Sequence, residues 1–247
     1  MKRWQLIAFG LGVYVLGLLV TAPATLIDAS LRQASDGRIR LAEAHGTIWS
    51  GKGQIEILDT RRRTGVAKSV AWRLRPANLL SGRLRYDVSL GHAGKRFPAT
   101  LTFSRIEVSN ADIELPAAVL GLVEPQLASL ELAGDVLVRI ARLSLARGAF
   151  EGSGTLQWRG AGSALAPVSP LGDYELRFNG DGAAVRASLR TLRGPLQVDG
   201  QGAWTGGRNL TFRGTARIPP QHRQKLAPLL RLIAIERGDG VFTLQLN

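Results

Sequence analysis

Histidine and cysteine, the residues most typical of catalytic and zinc sites, are scarce or absent in this chain of 247 residues. The three histidines, His45, His92 and His222, are far apart in sequence, and none belongs to an HxxxH or HExxH motif that could hold zinc. His45 borders a glycine-rich turn, His92 lies in a predicted hairpin turn, and His222 lies on a predicted basic helix. Cysteine is absent, which excludes disulfides, thiolate metal sites and a cysteine nucleophile.

Motifs for nucleophilic catalysis and nucleotide binding are also missing. The sequence has no GxSxG elbow, no Walker A loop and no GxGxxG between a strand and a helix. Gly51-Lys-Gly53 and Gly152-Ser-Gly154 are too short to cradle a phosphate. We therefore predict no enzyme, no cofactor, and no catalytic, cofactor-binding or metal-ligating residue; an envelope enzyme is the least favoured hypothesis. The carboxylates are scattered, and no spacing selects a pair among Glu43, Glu56, Asp87, Asp112, Asp173, Asp181 and Asp199.

Most of the chain is predicted to form β-strands. In four segments, apolar residues alternate with polar ones at a period near two, which is typical of strands with one buried and one wet face. Arginine recurs at the wet positions. Two glycine-rich sites, Gly180-Asp-Gly182 and Gly206-Gly207, predict hairpin turns because glycine adopts positive φ without strain. The four alternating segments are residues 54–58, 83–90, 136–145 and 210–218.

Other segments depart from the strand pattern. Residues 116–123 and 221–232 predict two short helices that open next to prolines, and Pro228 is expected to end or kink the second. Residues 161–170 contain two prolines and predict a loop. Residues 23–35 predict a helical or extended connector.

A tryptophan motif occurs twice in the chain. His45-Gly-Thr-Ile-Trp-Ser-Gly51 has a looser copy, Gly152-Ser-Gly-Thr-Leu-Gln-Trp-Arg-Gly160, and further matched steps follow each copy. A repeat of about a hundred residues predicts two duplicated β-rich modules, 41–145 and 146–247, in one curved antiparallel sheet or a sandwich. Large aromatic side chains dominate core packing, so the predicted anchors of the sheet are Trp49, Trp72, Trp158 and Trp204.

The N-terminus carries a long uncharged segment after Lys2 and Arg3. Residues 4–22 would form a helix of about 28 Å, close to the thickness of a bilayer core. We therefore predict a cytoplasmic tail (1–3), a single transmembrane anchor (4–22), a connector (23–40) and a periplasmic remainder, since basic residues before a span stay cytoplasmic. The alternative is a signal peptide cleaved at Ala22-Pro-Ala24, although its apolar core would be unusually long.

The chain is strongly basic, with a formal net charge of +13. Short clusters occur at Arg61-Arg-Arg63 and among Arg32, Arg38 and Arg40. Nucleic acid is not the expected partner, because the arginines are dispersed and the predicted topology places them across a membrane from DNA. Anionic lipid headgroups or an acidic protein fit better. Solvated arginines on exposed strand faces would give the same composition.

An ordered series of motifs extends along the chain. It comprises Leu41-Ala-Glu-Ala-His-Gly-Thr-Ile-Trp-Ser-Gly51, Trp72-Arg-Leu-Arg-Pro76, Leu171-Gly-Asp173, Gly194-Pro-Leu-Gln-Val-Asp-Gly200 and Gly238-Asp-Gly240. The series resembles the N component of the bacterial type II (general) secretion pathway. That resemblance implies one inner-membrane span, a β-rich periplasmic part, other secretion subunits as partners, and support for the export of folded proteins across the outer membrane. The family has no established catalytic residues.

A looser resemblance points to a different function. A single N-terminal anchor followed by β-repeats punctuated by glycine and tryptophan is also similar to AsmA-type envelope proteins, in which a curved sheet presents an apolar groove to lipid. The alternation pattern fits a closed core and an open groove equally well. The sequence therefore leaves two binding functions, a secretion component and a lipid-groove protein.

Overall fold

The structure is a computed structural model that describes residues 3–58, 65–91, 94–123, 129–146, 148–205, 210–231 and 234–246. The predicted features at Arg61–Arg63, His92 and Gly206–Gly207 lie outside these residues. The chain divides into two compact units. The first unit comprises Met1–Arg75 and Tyr86–Ala93, and the second comprises Pro76–Arg85 and Gly94–Asn247.

The first unit begins with two helices, α1 (Arg3–Val20) and α2 (Thr25–Ala34). Three antiparallel strands follow: β1 (Ile39–Gly46), β2 (Ser50–Leu58) and β3 (Gly65–Arg75). Residues 86–90 of β4 (Leu84–Leu90) come next in the strand order. The connector predicted after the span is thus helical over most of its length. A small core is buried between α2 and the strands, formed by Ala24, Leu41, Val70 and Trp72.

The segment predicted as a membrane anchor coincides closely with α1. Its exposed apolar side chains include Trp4, Ile7 and Phe9, which are 78%, 71% and 70% exposed. Among the described residues, no helix combines the length and the apolar character needed to cross a membrane. The anchor over residues 4–22 is therefore not confirmed.

The second unit is built mainly from antiparallel strands, as predicted. After a 3₁₀ turn (Pro76–Ser81) come β5 (Phe97–Leu101), β6 (Arg105–Pro116), β7 (Leu132–Ala146), β8 (Ala149–Ser163) and β9 (Gly172–Asp181). They are followed by β10 (Val185–Arg193), β11 (Gln197–Trp204), β12 (Leu210–Arg217), β13 (Ile235–Gly238) and β14 (Val241–Leu246). The strands are ordered as in sequence up to β12, after which β14 precedes β13.

Cross-strand pairing gives this sheet one polar and one apolar face, because side chains alternate along each strand. One row of paired residues, across β7 to β14, is polar throughout: Arg139, Thr155, Arg177, Ser188, Gln201, Arg213 and Gln245. The neighbouring row, on the opposite face, consists of Val138, Leu156, Leu176, Leu189, Gly200, Gly214 and Leu244.

Local irregularities in β6 and β7 keep polar side chains on the polar face of the sheet and apolar ones on the opposite face. A register shift between Ile140 and Arg142 on β7 leaves Ala141 as an extra residue against β8. In strict alternation Arg139 and Arg142 would point to opposite faces, whereas the bulge places both on the polar face. On β6, Asn110 has φ of 51° and lies between Val108 and Ala111. These two apolar residues are three positions apart, so the alternation of apolar and polar residues shifts by one residue at Asn110.

Two further helices lie among the described residues of the second unit. Helix α3 (Ala118–Val123) and helix α4 (Pro220–Arg231) match the two predicted helices. Helix α4 supplies Leu226, Ala227 and Leu230 to a core that also contains Leu171, Leu196, Ala216, Ile218 and Phe242. In the described part of the chain this core covers one end of the apolar face, where Leu244 packs against it. The other residues of the apolar row are half-buried.

Two local predictions need correction. Pro228 was expected to end or kink the second helix; it lies inside α4 and does not end it, since the helix continues to Arg231. The predicted loop 161–170 begins later, because β8 continues to Ser163 and Ala161 pairs with Gly172. The module boundary at 145/146, which falls in the β7–β8 hairpin, and the duplication itself both stay predictions.

Only one of the four predicted tryptophan anchors, Trp72, is buried. Trp49 lies in the turn between β1 and β2 and donates its indole N–H to the Leu19 carbonyl at 2.9 Å. Trp158 donates to the Ala133 carbonyl at 2.9 Å from a half-buried position, and Trp204 is 41% exposed. Trp49 lies in a turn and Trp158 at a register shift within β8, and in both the polar edge of the indole reaches a backbone carbonyl.

Candidate functional site

The histidines do not form a site in the described part of the chain. Nδ1 of the exposed His45 lies 2.6 Å from the carbonyl oxygen of Glu43, and His222 lies on α4. No group of three or more histidine, aspartate and glutamate side chains among the described residues could hold a metal ion.

The short glycine sequences are explained by packing. Gly51 and Gly154 lie within strands, and each faces an aromatic ring: a Cβ atom at Gly51 would lie 2.5 Å from the Trp72 ring, and one at Gly154 would lie 2.5 Å from the Phe178 ring. Side chains larger than hydrogen would clash at both positions. These glycines therefore seat cross-strand aromatics and do not form a phosphate-binding loop.

The strongest polar cluster lies on the polar face of β8, β9 and β10. Glu175 on β9 pairs in register with Gln157 on β8 and Arg190 on β10. Its Oε1 accepts hydrogen bonds from Arg177 Nε at 2.8 Å and from Arg190 Nη2 at 2.7 Å. Its Oε2 accepts one from Gln157 Nε2 at 3.0 Å. Both carboxylate oxygens are thus occupied by donors.

Asp173, two residues before Glu175 on the same face, is held in the same way. Its Oδ1 accepts the Gly160 backbone N–H at 2.6 Å, and its Oδ2 accepts a hydrogen bond from Arg193 Nε. The Asp173 and Glu175 side chains are 11% and 7% exposed, whereas Arg177, Arg190 and Arg193 are 57%, 51% and 83% exposed. The cluster therefore buries its carboxylates and leaves its guanidinium groups toward solvent.

Hydrogen bonding determines the ionisation of this cluster. The pKa of Asp173 lies below its ordinary value, chiefly because the Gly160 N–H bonds to the carboxylate and also because of Arg193. The pKa of Glu175 is lowered by the hydrogen bond from Gln157 and then by Arg177 and Arg190. Both groups are ionised at neutral pH, so they have no proton to donate as general acids.

Tyr174 fixes the other face of the same strand. Its hydroxyl donates to the Leu196 carbonyl at 2.9 Å and lies 3.3 Å from the Leu171 carbonyl. Burial, and secondarily the charge of Asp173, raise the pKa of Tyr174 well above its ordinary range. Neither the tyrosine nor the carboxylates have a pKa suited to proton transfer near neutral pH. Glu175 links β8, β9 and β10 on the polar face, and Tyr174 bonds to backbone carbonyls next to β9 and β11.

Sequence reasoning missed this cluster. The sequence names Asp173 among scattered carboxylates and in the Leu171-Gly-Asp173 motif, with no partner for it, and does not single out Glu175. The available signal was the two-residue spacing of Asp173, Glu175 and Arg177, which places all three side chains on one face of a strand. The partners Gln157, Arg190 and Arg193 become neighbours only through the register of three strands, which the sequence does not specify.

A family comparison identifies the chain. Residues 37–245 match the family described as "Type II secretion system (T2SS), protein N". The match covers most of the chain, from just before β1 to near the end of β14, and the chain belongs to this family. The resemblance found in the sequence motifs is thereby confirmed. No curated protein and no solved structure gave a match.

Proposed function

We propose that this chain is a non-enzymatic component of the type II secretion system that supports export of folded periplasmic proteins across the outer membrane. The observation that carries the proposal is the family match over residues 37–245, which takes in all fourteen strands of the described chain except the last residue of β14. The carboxylates of the β8–β10 cluster are saturated with donors, which supports a scaffold more than an active site.

A deletion experiment tests this function. The gene is removed in frame from the source bacterium, and the proteins in the medium and the periplasm are compared by quantitative mass spectrometry. We expect type II substrates to accumulate in the periplasm and a plasmid copy of the wild-type gene to restore their export. Normal export of every type II substrate in the deletion strain would refute the proposal.

The polar face of the second unit is our candidate for docking to other secretion subunits. Arg139 and Arg213 are exposed and belong to the same cross-strand row as Arg177. Fixed buried carboxylates beneath exposed guanidinium groups hold positive charge in defined positions, which favours an acidic protein partner. Nucleic acid is not part of the proposal.

Charge reversal separates this docking face from general basicity. Arg139→Glu and Arg213→Glu are compared with Arg237→Glu, which makes the same charge change on the exposed strand β13. We expect the first two variants, and not the third, to lose co-purification with the other secretion subunits. Equal retention of partners by all three folded variants would exclude the face as the docking surface.

Attachment to the inner membrane through residues 4–22 is also a proposal, with the remainder in the periplasm. The exposed apolar side chains of α1, such as Leu6, Ile7 and Phe9, support it because a helix that presents such residues to water gains by entering lipid. Alkaline phosphatase fused after residue 246 should be active, and the chain should resist carbonate extraction. Release of the protein by carbonate would contradict the anchor.

A lipid-groove function is the second candidate. Its specific support is the apolar row Val138, Leu156, Leu176 and Leu189, whose members are half-buried while the far end of the face is covered by α4. Native mass spectrometry of detergent-extracted protein should then reveal co-purifying lipid that is lost in Leu176→Gln. Lipid-free wild-type protein would eliminate this candidate.

A further inference from the structure

A second, separate group of arginines surrounds a cavity of about 630 Å³ on the second unit. Its wall is formed by the polar faces of β5 to β8 together with residues from the 3₁₀ turn and the start of β4. Cross-strand pairs define this wall: Thr100 pairs with Glu107, Glu107 with Ser144, and Ser144 with Glu151. The volume falls within the roughly 300–1,000 Å³ of small-molecule sites.

Positive charge dominates the cavity. Four guanidinium groups line it, those of Arg83, Arg85, Arg105 and Arg142, against two carboxylates, Glu107 and Glu151. The Arg105–Glu107 ion pair is long, at 3.8 Å, and its side chains are 44% and 50% exposed. Within the described residues, Arg83, Arg85 and Arg142 have no carboxylate within 4.0 Å. The lining therefore has an excess of cationic donors.

Arg85 is the most informative of these side chains. Its Nε atom is buried and has no hydrogen-bond partner among the described residues. A buried cationic N–H without an acceptor is costly, because the group has lost water and gained nothing in return. The Arg85 residue also lines the cavity and is only half-buried, so a shift of its guanidinium group toward an anion bound there would give this nitrogen an acceptor.

The backbone is irregular where it meets the cavity. Asn110, with φ of 51°, and the bulge residue Ala141 both line it. The bulge turns Arg142 onto this face, as described above. Bulges and left-handed non-glycine residues are concentrated at functional positions, because they re-aim side chains at a cost in strain.

We infer that this cavity binds a phosphate ester. Guanidinium groups present paired N–H donors that match the oxygens of a phosphate, and Thr100, Ser109 and Ser144, which also line the cavity, carry hydroxyls that can add neutral donors. The cavity is larger than an inorganic phosphate ion requires, which favours an ester whose organic part fills the remainder. A lipid headgroup and a soluble phosphate ester share this chemistry.

The test uses the full chain in detergent and isothermal titration calorimetry. The probes are glycerol 3-phosphate and dihexanoylphosphatidic acid, which carry the same phosphate without and with acyl chains. The variants Arg85→Gln and Arg142→Gln each remove a proposed phosphate contact. Arg237→Gln on β13 is the matched control, since it removes one exposed charge outside the cavity.

We expect at least one probe to bind and its Kd to rise about tenfold or more in both cavity variants, but not in Arg237→Gln. Glu107→Gln should lower the Kd of the probe for two reasons. It removes a negative charge that repels the phosphate, and it frees Arg105 from its ion pair with Glu107. This gain cannot arise from misfolding, so it guards against loss of structure in Arg85→Gln. Tighter binding of the acylated probe would identify a lipid headgroup, and equal binding a soluble ester.

The inference fails if neither probe binds. It also fails if the two cavity variants and Arg237→Gln weaken binding equally, since the phosphate would then be attracted by net charge alone. Both outcomes are distinct from failure of the proposed secretion function, which is read from exported proteins and not from ligand binding.

Discussion

Two arginine-rich regions lie on the polar face of the second unit and differ in how their charges are satisfied. In the β8–β10 cluster, Asp173 and Glu175 accept hydrogen bonds from Arg193, Arg177 and Arg190. In the cavity walled by β5 to β8, Arg85 and its neighbours have an excess of donors over acceptors.

This difference separates structure from binding. An arginine whose guanidinium N–H groups bond to a buried carboxylate stabilises the fold, and it has only its remaining N–H groups to offer to a partner. An arginine near a cavity without a carboxylate keeps its hydrogen-bonding capacity for a ligand. Composition alone, at a net charge of +13, gives no means of telling the two situations apart.

Acidification should produce the largest effect, and it should act through the two carboxylates of the cluster. The folded-state pKa values of Asp173 and Glu175 are depressed, so the unfolded chain binds more protons and stability rises with pH. This stability is present above the unfolded values of about 4 and is lost as pH falls through the lower folded values. Thermal melts between pH 7 and pH 2 measure it.

The control is the double variant Asp173→Asn/Glu175→Gln, which should have a lower melting temperature at pH 7 and a shallower decline on acidification. Identical slopes for wild type and double variant would show that these carboxylates do not couple folding to pH. General repulsion among the many arginines would then account for acid sensitivity.

Glu175→Ala should be the most damaging single change in the cluster. It leaves Arg177, Arg190 and Gln157 without their common acceptor, and we expect a loss of about 2–3 kcal/mol in the free energy of unfolding. The exposure of the arginines keeps the loss below that of a fully buried pair. Urea denaturation measures it, with Arg142→Ala from the cavity as the control, expected within about 0.5 kcal/mol of wild type.

Asp173→Asn should cost less, about 1–2 kcal/mol. The amide oxygen can still accept the Gly160 N–H, but the amide nitrogen would face Arg193 Nε as a second donor. The same urea titrations would detect this loss. A variant as stable as wild type would mean that Asp173 contributes to the cluster only through Gly160.

Glu107→Gln should have the smallest effect on folding, within about 0.5 kcal/mol, since its pair with Arg105 is long and half-exposed. The carboxylate at the cavity would then contribute much less to the free energy of unfolding than Glu175 does in the cluster. A loss as large as that of Glu175→Ala would show that the cavity arginines are structural as well.

Local patterns were enough to predict much of this fold. Strand alternation located β2, β4, β7 and β12, and proline positions located α3 and α4, because these signals act over a few residues. Register, by contrast, depends on non-local pairing. The pairing of Glu175 with Arg190 therefore could not be predicted. The bulge at Ala141, which shifts the alternation on β7 by one residue, could not be distinguished in the sequence from imperfect alternation.

The tryptophans illustrate a second limit. Their size predicts burial, yet Trp49 and Trp158 use the indole N–H to reach the carbonyls of Leu19 and Ala133 near the sheet margins. Because tryptophan has a large ring and a polar N–H, it can either be buried in a core or lie at the surface with its N–H bonded to a carbonyl. Pro228 is a comparable case, since packing of Leu226 and Leu230 keeps α4 helical through a residue of poor propensity.

The short strand β13 ends the strand order of the second unit, and all four of its residues are exposed. Glu236 and Arg237 place charges on this edge, and Glu236 is tied to Arg231 at 2.8 Å. A short charged edge offers a poor template for an incoming strand. Neighbouring subunits should therefore not extend this sheet by β-augmentation at β13, and growth into filaments through that edge is discouraged by the same two side chains.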